Sequence, residues 1–274
     1  MSEKSTIESN ENAQTQIPVE PQACVVGPAA DYEPDDILIV DNMTISFGGF
    51  SAVKDLTFGV HEGEVLGIIG PNGAGKTTVL NGIMGLVTPT KGRVLFKGQD
   101  ITHASPAKRC HIGIGRTYQV PRPFVNMTVF ENVLVGAVHG AGLSEKQGRQ
   151  KALEILETTR LMDKKNLIAG RLDTLDRKRL EVARGMATNP TVLLLDEVAA
   201  GLTEAEVTAV IQLAKDIRKT GVTIIWIEHI LRTMREATDR VMCISAGQKL
   251  ICGDPLTVLS SKEVEQTYIG VAEE

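Results

Sequence analysis

The 274-residue sequence lacks the long apolar runs that a membrane span requires. Its longest, such as "VLLL" (192–195) and "VTIIWI" (222–227), fall far short of the ~20 residues needed. There is no strong basic excess either; the formal net charge is −5, which argues against nucleic acid as the primary ligand. The N-terminus shows no secretory-signal core. Cys24, Cys110, Cys243 and Cys252 have no C-x-x-C or other metal spacing, and a chain of this length does not need disulfide staples. No internal repeat points to a solenoid or a tandem array. Together these absences lead to the expectation of a soluble globular protein with reduced thiols in the cytoplasm.

The charge that is present is unevenly placed. Residues 1–36 carry Glu3, Glu8, Glu11, Glu20, Asp31, Glu33, Asp35 and Asp36 against Lys4 alone, a net −7 that leaves +2 for the rest. That stretch is polar, contains proline and has no sustained apolar period, so an acidic disordered tail is expected over 1–36. From Ile37 the pattern changes. "ILIVDNMTISF" and "LTFGVHEGEVLGIIG" read as short strands split by turn residues, an expected N-terminal antiparallel portion. "KTTVLNGIMGL" reads as a helix and "RVLFKG" as a strand. Apolar residues at helical spacing, Ala152, Ile155 and Leu156 among them, make residues of about 128–188 mostly helical. "TVLLLDE" and "VTIIWIEH" are continuous apolar runs with polar ends, the pattern of parallel strands covered on both faces. The expected fold class is therefore α/β.

The strongest chemical signal is "GIIGPNGAGKTT", residues 67–78. It contains Gly70-x-x-x-x-Gly75-Lys76-Thr77 between a strand-like and a helix-like run, the context a phosphate loop requires. Gly73 and Gly75 let successive backbone N–H groups turn inward around phosphate oxygens, and the helix that follows adds the positive end of its dipole. Lys76 supplies a point charge for the outer phosphates and Thr77 a hydroxyl for Mg²⁺. Asn72, Ala74 and Thr78 complete the expected nucleotide-binding segment.

Asp196 and Glu197 end a strand-like run, which places them at the carboxyl edge of an α/β sheet, where ligands bind. There Asp196 is suited to hold Mg²⁺ through water and Glu197 to orient or deprotonate an attacking water. Acidic residues also end strands simply where the chain returns to solvent. His229, after "VTIIWIE", is placed to contact the γ-phosphate and the water, or else caps a strand end. Gln119 in "GRTYQVPRPF" is placed to sense Mg²⁺ and the water, or is ordinary polar surface.

Taken in chain order, the phosphate loop, Gln119, "VLLLDE" and His229 resemble the ATPase subunit of an ABC transporter over essentially residues 37–270. "GRTYQVPRPFVNMTVFENVLVG", "KRLEVARGMATNP" and the ending "EVEQTYIG" are similar to the ATP-binding subunits of branched-chain (hydrophobic) amino acid importers. The resemblance implies a P-loop NTPase cassette over 37–274: a mostly parallel core sheet, an inserted helical subdomain at about 120–188 and a C-terminal family tail at about 247–274. It implies ATP and Mg²⁺ as cofactors, a second ABC ATPase subunit in a homo- or heterodimer, transmembrane permease subunits and, indirectly, a substrate-binding protein. The expected location is peripheral, on the cytoplasmic face of the inner membrane. Phe47 in "ISFGG" matches the position at which the family stacks adenine on an aromatic ring; its alternative is a strand residue packed in the core.

The sequence departs from the family at two places. The signature normally reads Ser-Gly-Gly-Gln; here Leu172-Asp173-Thr174-Leu175-Asp176 aligns with it, with Asp173 in the serine position and neither glycine present. A carboxylate ~4 Å from a phosphate charge costs roughly 4 kcal/mol at an effective dielectric of 20, whereas a helix N-terminus returns only about 0.3–1 kcal/mol to an anion. Asp173 or Thr174 is therefore expected to cap a helix beginning near Asp176, with Arg177 or Lys178 offsetting the local negative charge. At the family's dimer-contacting Asp, this chain has Thr203. The expected function is to power an importer of branched-chain or other hydrophobic amino acids or related amides or urea. An exporter or lipid-extraction ATPase, and a nucleotide-gated regulator with little turnover, are the alternatives.

Overall fold

The continuous apolar runs form strands that are buried on both faces. The computed structural model describes residues 31–269; the remainder of the expected tail, residues 1–30, and residues 270–274 lie outside the described residues. The strands are β1 (Leu38–Phe47), β2 (Phe50–Val60), β3 (Val65–Ile69), β4 (Lys91–Phe96), β5 (Gln99–Asp100), β6 (Ile114–Arg116), β7 (Val192–Asp196), β8 (Thr223–Ile227), β9 (Arg240–Ser245) and β10 (Gln248–Gly253). One sheet has the order β10-β9-β3-β8-β7-β6, parallel throughout except for the β9–β10 hairpin.

Each central strand sends alternate side chains to two separate apolar clusters. Val65, Leu193, Leu195, Ile224, Trp226, Val241 and Cys243 enter one; Leu66, Ile68, Val192, Leu194, Ile225, Ile227, Met242 and Ile244 enter the other. With both faces covered, no position in these strands is left for a polar side chain until the strand ends. Asp196 follows "VLLL" for that reason, and Glu228 follows "TIIWI".

The second cluster is closed by an antiparallel sheet of order β2-β1-β4-β5. β3, expected with this antiparallel portion, belongs instead to the parallel sheet, between β8 and β9. All five of its residues are buried, and only an interior strand satisfies that pattern. Packing among the described residues starts before the expected boundary at Ile37. Asp36 is buried, accepts the Glu33 N–H at 2.8 Å and lies 2.5 Å from His61 Nδ1.

The helices are α1 (Lys76–Met84), α2 (Pro106–His111), α3 (Val129–Val135), α4 (Glu145–Thr158), α5 (Thr174–Ala187), α6 (Glu204–Lys219), α7 (Leu231–Ala237), α8 (Pro255–Leu259) and α9 (Lys262–Ile269). α3, α4 and α6 open with reciprocal capping boxes, Thr128 with Glu131, Ser144 with Gln147 and Thr203 with Glu206. Thr203 thus has a local task as a helix cap. The apolar stripes of α3, α4 and α5, including Val133, Ile155, Leu156, Leu180 and Ala183, join the first cluster against Leu193 and Leu195. Because β3, β8 and β7 are adjacent and parallel, the segments that follow them meet at one sheet edge.

Candidate active site

The loop between β3 and α1 is shaped by its glycines. Gly70 has φ 152° and Gly75 φ 100°; a Cβ would come within 2.1 Å of the Ile244 carbonyl oxygen at the first and 2.4 Å of the Ala52 carbonyl oxygen at the second. Close backbone approach therefore requires glycine at both positions. α1 starts at Lys76, and Lys76 Nζ donates to the carbonyls of Gly70 at 2.7 Å and Pro71 at 2.9 Å. Burial lowers the Lys76 pKa, opposed by the charges of Glu197 and Asp196. The loop borders a cleft formed by Asn72, Gly73, Ala74, Gly75, Lys76, Thr77 and Thr78, with Phe50, Ala52 and Glu197 on its other walls.

Phe50 rather than Phe47 borders this cleft. The two pair across the β1–β2 hairpin, and both are exposed, Phe47 by 53% and Phe50 by 65%. Phe47 is therefore not packed in the core, and Phe50 is an aromatic that motif matching passes over.

Asp196 is buried at the end of β7. Its Oδ2 accepts from Arg116 Nη2 at 3.1 Å, and Arg116 Nη1 donates to Asn81 Oδ1 at 2.6 Å. Burial raises the Asp196 carboxyl, and the Arg116 guanidinium opposes the rise. Asp196 Oδ1 is buried without a hydrogen-bond partner. Asp196, Thr77 and Gln119 line one further cleft. A buried carboxylate oxygen with a free lone pair, beside a hydroxyl and an amide, is an oxygen donor set suited to Mg²⁺.

Glu197 is held on both sides. Gln119 Nε2 donates to its Oε2 at 2.5 Å, and His229 Nε2 lies 2.6 Å from its Oε1. Its backbone has φ 48°, an uncommon conformation for a residue with a side chain. The Glu197 N–H donates to the Ile227 carbonyl at 2.9 Å and Lys178 Nζ donates to the Glu197 carbonyl at 3.3 Å. The four residues expected at strand ends and in the intervening loop, Gln119, Asp196, Glu197 and His229, are thus brought to one sheet edge beside the phosphate loop.

The segment Leu172–Asp176 behaves as its charges require. Asp173 is the N-cap of α5, its Oδ1 accepting the Asp176 N–H at 2.8 Å, and its side chain is 66% exposed. The helix begins at Thr174, two residues before the expected start. The charges that offset this segment are not Arg177 and Lys178. Arg177 donates to the carbonyls of Leu172 and Gly170, and Lys178 turns toward Glu197. Asp176 is buried and pairs with Lys164 and with Arg179, the latter at 3.0 Å, while Lys164 Nζ lies 3.8 Å from Asp173. Helical spacing puts Arg177 and Lys178 on faces that Asp176 does not share; Lys164 comes from before the helix.

Two further residues escaped the sequence reading. Arg116 pairs with Asp196 across 80 positions, and its only signal is adjacency to the Gln119 loop. Glu228 is completely buried beside His229, and burial pushes its carboxyl up to about 7.

The ABC transporter family profile matches residues 53–200. The high-affinity branched-chain amino acid transport ATP-binding protein BraF of Pseudomonas aeruginosa is 36% identical over 252 residues, 86% of this chain and 98% of that protein. The lipopolysaccharide export system ATP-binding protein LptB of Haemophilus influenzae is 31% identical over 234 residues, covering 85% and 97%. The crystal structure of an ATP-binding cassette of an ABC transporter in its ADP conformation superposes with a TM-score of 0.78 at 33% identity, covering 86% of this chain and 99% of that one. With the phosphate loop and its facing carboxylates on a sheet edge of this architecture, the chain belongs to the ABC transporter ATP-binding family and is an ATP-hydrolysing cassette.

Proposed function

We propose that the chain powers an ABC importer of branched-chain or other hydrophobic amino acids. The observation that carries this reading is the likeness to BraF, at 36% identity over nearly the whole of that protein. Among the described residues no helix is long and apolar enough to cross a membrane. Separate transmembrane permease chains, with this subunit peripheral on their cytoplasmic side, accord with that. A second ABC ATPase subunit would pair with it. A lipopolysaccharide export role is the second reading, favoured by the 31% identity to LptB.

In the proposed hydrolysis, backbone N–H groups of residues 72–78 and Lys76 hold the phosphates, and Phe47 or Phe50 stacks on the adenine. Thr77, Gln119 and Asp196 would hold Mg²⁺, which neutralises charge on the phosphates when bound. Glu197 orients the attacking water and accepts its proton, and His229 and Gln119 hold Glu197 in place. Asp173, exposed at the start of α5, brings negative charge to the surface that the family presents to its partner cassette, so dimer closure should be weaker than with an intact signature.

Uptake tests the substrate. A strain lacking the gene should lose uptake of radiolabelled leucine, isoleucine and valine, regained with the wild-type chain but not with Lys76→Ala. Undiminished uptake of all three would refute the branched-chain reading.

A further inference from the structure

Glu228 lines neither cleft of the site, yet it is a completely buried carboxylate immediately before His229 in the chain. Its Oε1 accepts the Ala199 N–H at 2.5 Å and the Trp226 indole N–H at 3.3 Å, and its Oε2 accepts the His229 N–H at 3.3 Å. Ala199 lies in the segment after β7, two residues beyond Glu197; His229 lies in the segment after β8. One side chain thus spans the two loops that carry the contacting pair Glu197 and His229. Burying a carboxylate is costly unless its hydrogen bonds are satisfied, and here every acceptor bond goes to a fixed donor at this junction. Lys178 is the cation that faces it, and the same Lys178 bonds the Glu197 carbonyl.

The loop after β7 has reason to need such a tie. Glu197 adopts φ 48°, and a residue in that region persists only where its surroundings over-determine it. Beyond Glu197 the segment is held locally by short turns, Ala200 N–H to the Glu197 carbonyl and Leu202 N–H to the Ala199 carbonyl, both at 3.3 Å. The Ala199 bond to Glu228 is the shorter one, and it reaches across to the neighbouring strand.

We propose that Glu228 is a positioning residue for hydrolysis: its carboxylate braces the loop after Glu197 to the loop bearing His229 and so keeps those two side chains in contact. This rests on the reading of Glu197 and His229 as the water-activating pair. Glu228 itself touches no reacting atom.

The test compares purified full-length wild type, Glu228→Gln, Glu228→Ala and Glu197→Gln, following Mg²⁺-dependent ATP hydrolysis and amide hydrogen exchange in residues 197–203 and 228–232. An alanine removes both sides of the brace. In the glutamine variant the amide oxygen serves one side while the NH2 group meets an N–H donor on the other, so one side is lost. The expected result for Glu228→Ala is a fall in kcat of about 10²-fold, the scale of an ångström-size misplacement, with KM for Mg-ATP close to wild type and faster exchange in both segments. Glu228→Gln should lie between, with faster exchange in one segment. Wild-type kcat in both variants, or exchange unchanged in both segments, would overturn the proposal. Should the alanine variant fail to fold, the near-isosteric glutamine variant decides on the same readouts. Should wild type itself show no more turnover than Glu197→Gln, the failure belongs to the hydrolytic reading, and the brace stands or falls on the exchange result alone.

Discussion

His229 Nε2 sits 2.6 Å from Glu197 Oε1, a contact between residues 32 apart in the chain that joins the ends of two neighbouring parallel strands. The contact leaves Glu197 fixed between the imidazole and the Gln119 amide, so its carboxylate has one orientation relative to the phosphate loop. Replacing His229 by Ala should lower kcat by about 10²- to 10⁴-fold, the range for loss of a positioned acid–base partner. Nucleotide affinity, measured by titration calorimetry, should change little because the phosphate-binding backbone is untouched. A large loss of affinity with kcat retained would contradict this.

Asp173 caps α5, and the strength of the cap is measurable without any transport assay. Asp173→Ala removes the acceptor of the Asp176 N–H and should cost about 1 kcal/mol, seen as a melting temperature lower by roughly 2–4 °C. Asp173→Ser should recover most of it. An alanine variant as stable as wild type would mean that the cap contributes nothing.

The proposed adenine contact separates two neighbouring aromatics. Phe50 borders the cleft and Phe47 does not, so Phe50→Ala should weaken ATP binding by about 1–3 kcal/mol, the scale of base–aromatic stacking. Phe47→Ala should have the smaller effect. Fluorescent-nucleotide titrations of both variants check the order, and the reverse ranking would restore the position that the family motif indicates.

Stability should fall as pH rises through the range where Glu228 ionises. Burial raises its carboxyl from the usual 4.5 to about 7, so between these values the folded state keeps a proton that the unfolded chain has lost. The contribution is fully present below about 4.5, is lost as pH approaches 7 and stays lost above it, with an upper magnitude of order 3 kcal/mol. Lys178 faces the group and opposes the shift. Glu228→Gln should flatten this part of the stability curve. Trp226, the one tryptophan in the sequence, donates to Glu228, so its emission should titrate in wild type and not in the variant.

The parts of this molecule that were legible in the sequence are those governed by local backbone chemistry. Gly70 and Gly75 mark the phosphate loop because the backbone geometry admits little else there, and Lys76 marks it by the charge it brings to the helix start. The runs ending in Asp196 and Glu228 announce strands covered on both faces, and Asp173 announces a cap because serine, threonine, asparagine and aspartate compete for that place. What was not legible is set by tertiary pairing. β3 is a continuous buried run like β7 and β8, but it follows directly on the β2 run in the chain, and its pairing with β8 and β9 is what separates it from the antiparallel sheet. β6 has three residues, too few for a pattern. Arg116 with Asp196, Glu228 with Ala199 and Lys164 with Asp176 are partnerships that exist only once the elements have packed. That Phe50 rather than Phe47 borders the cleft depends on the hairpin's position over the loop.

The most direct test of the account is Mg²⁺-dependent ATP hydrolysis by the purified chain, wild type beside Glu197→Gln, with dimerisation followed in the presence of ATP. Turnover is expected in wild type, with its loss in the variant and an ATP-trapped dimer gained there. Equal turnover in the two proteins would contradict the assignment of Glu197, and with it the reading of this sheet edge as the hydrolytic site.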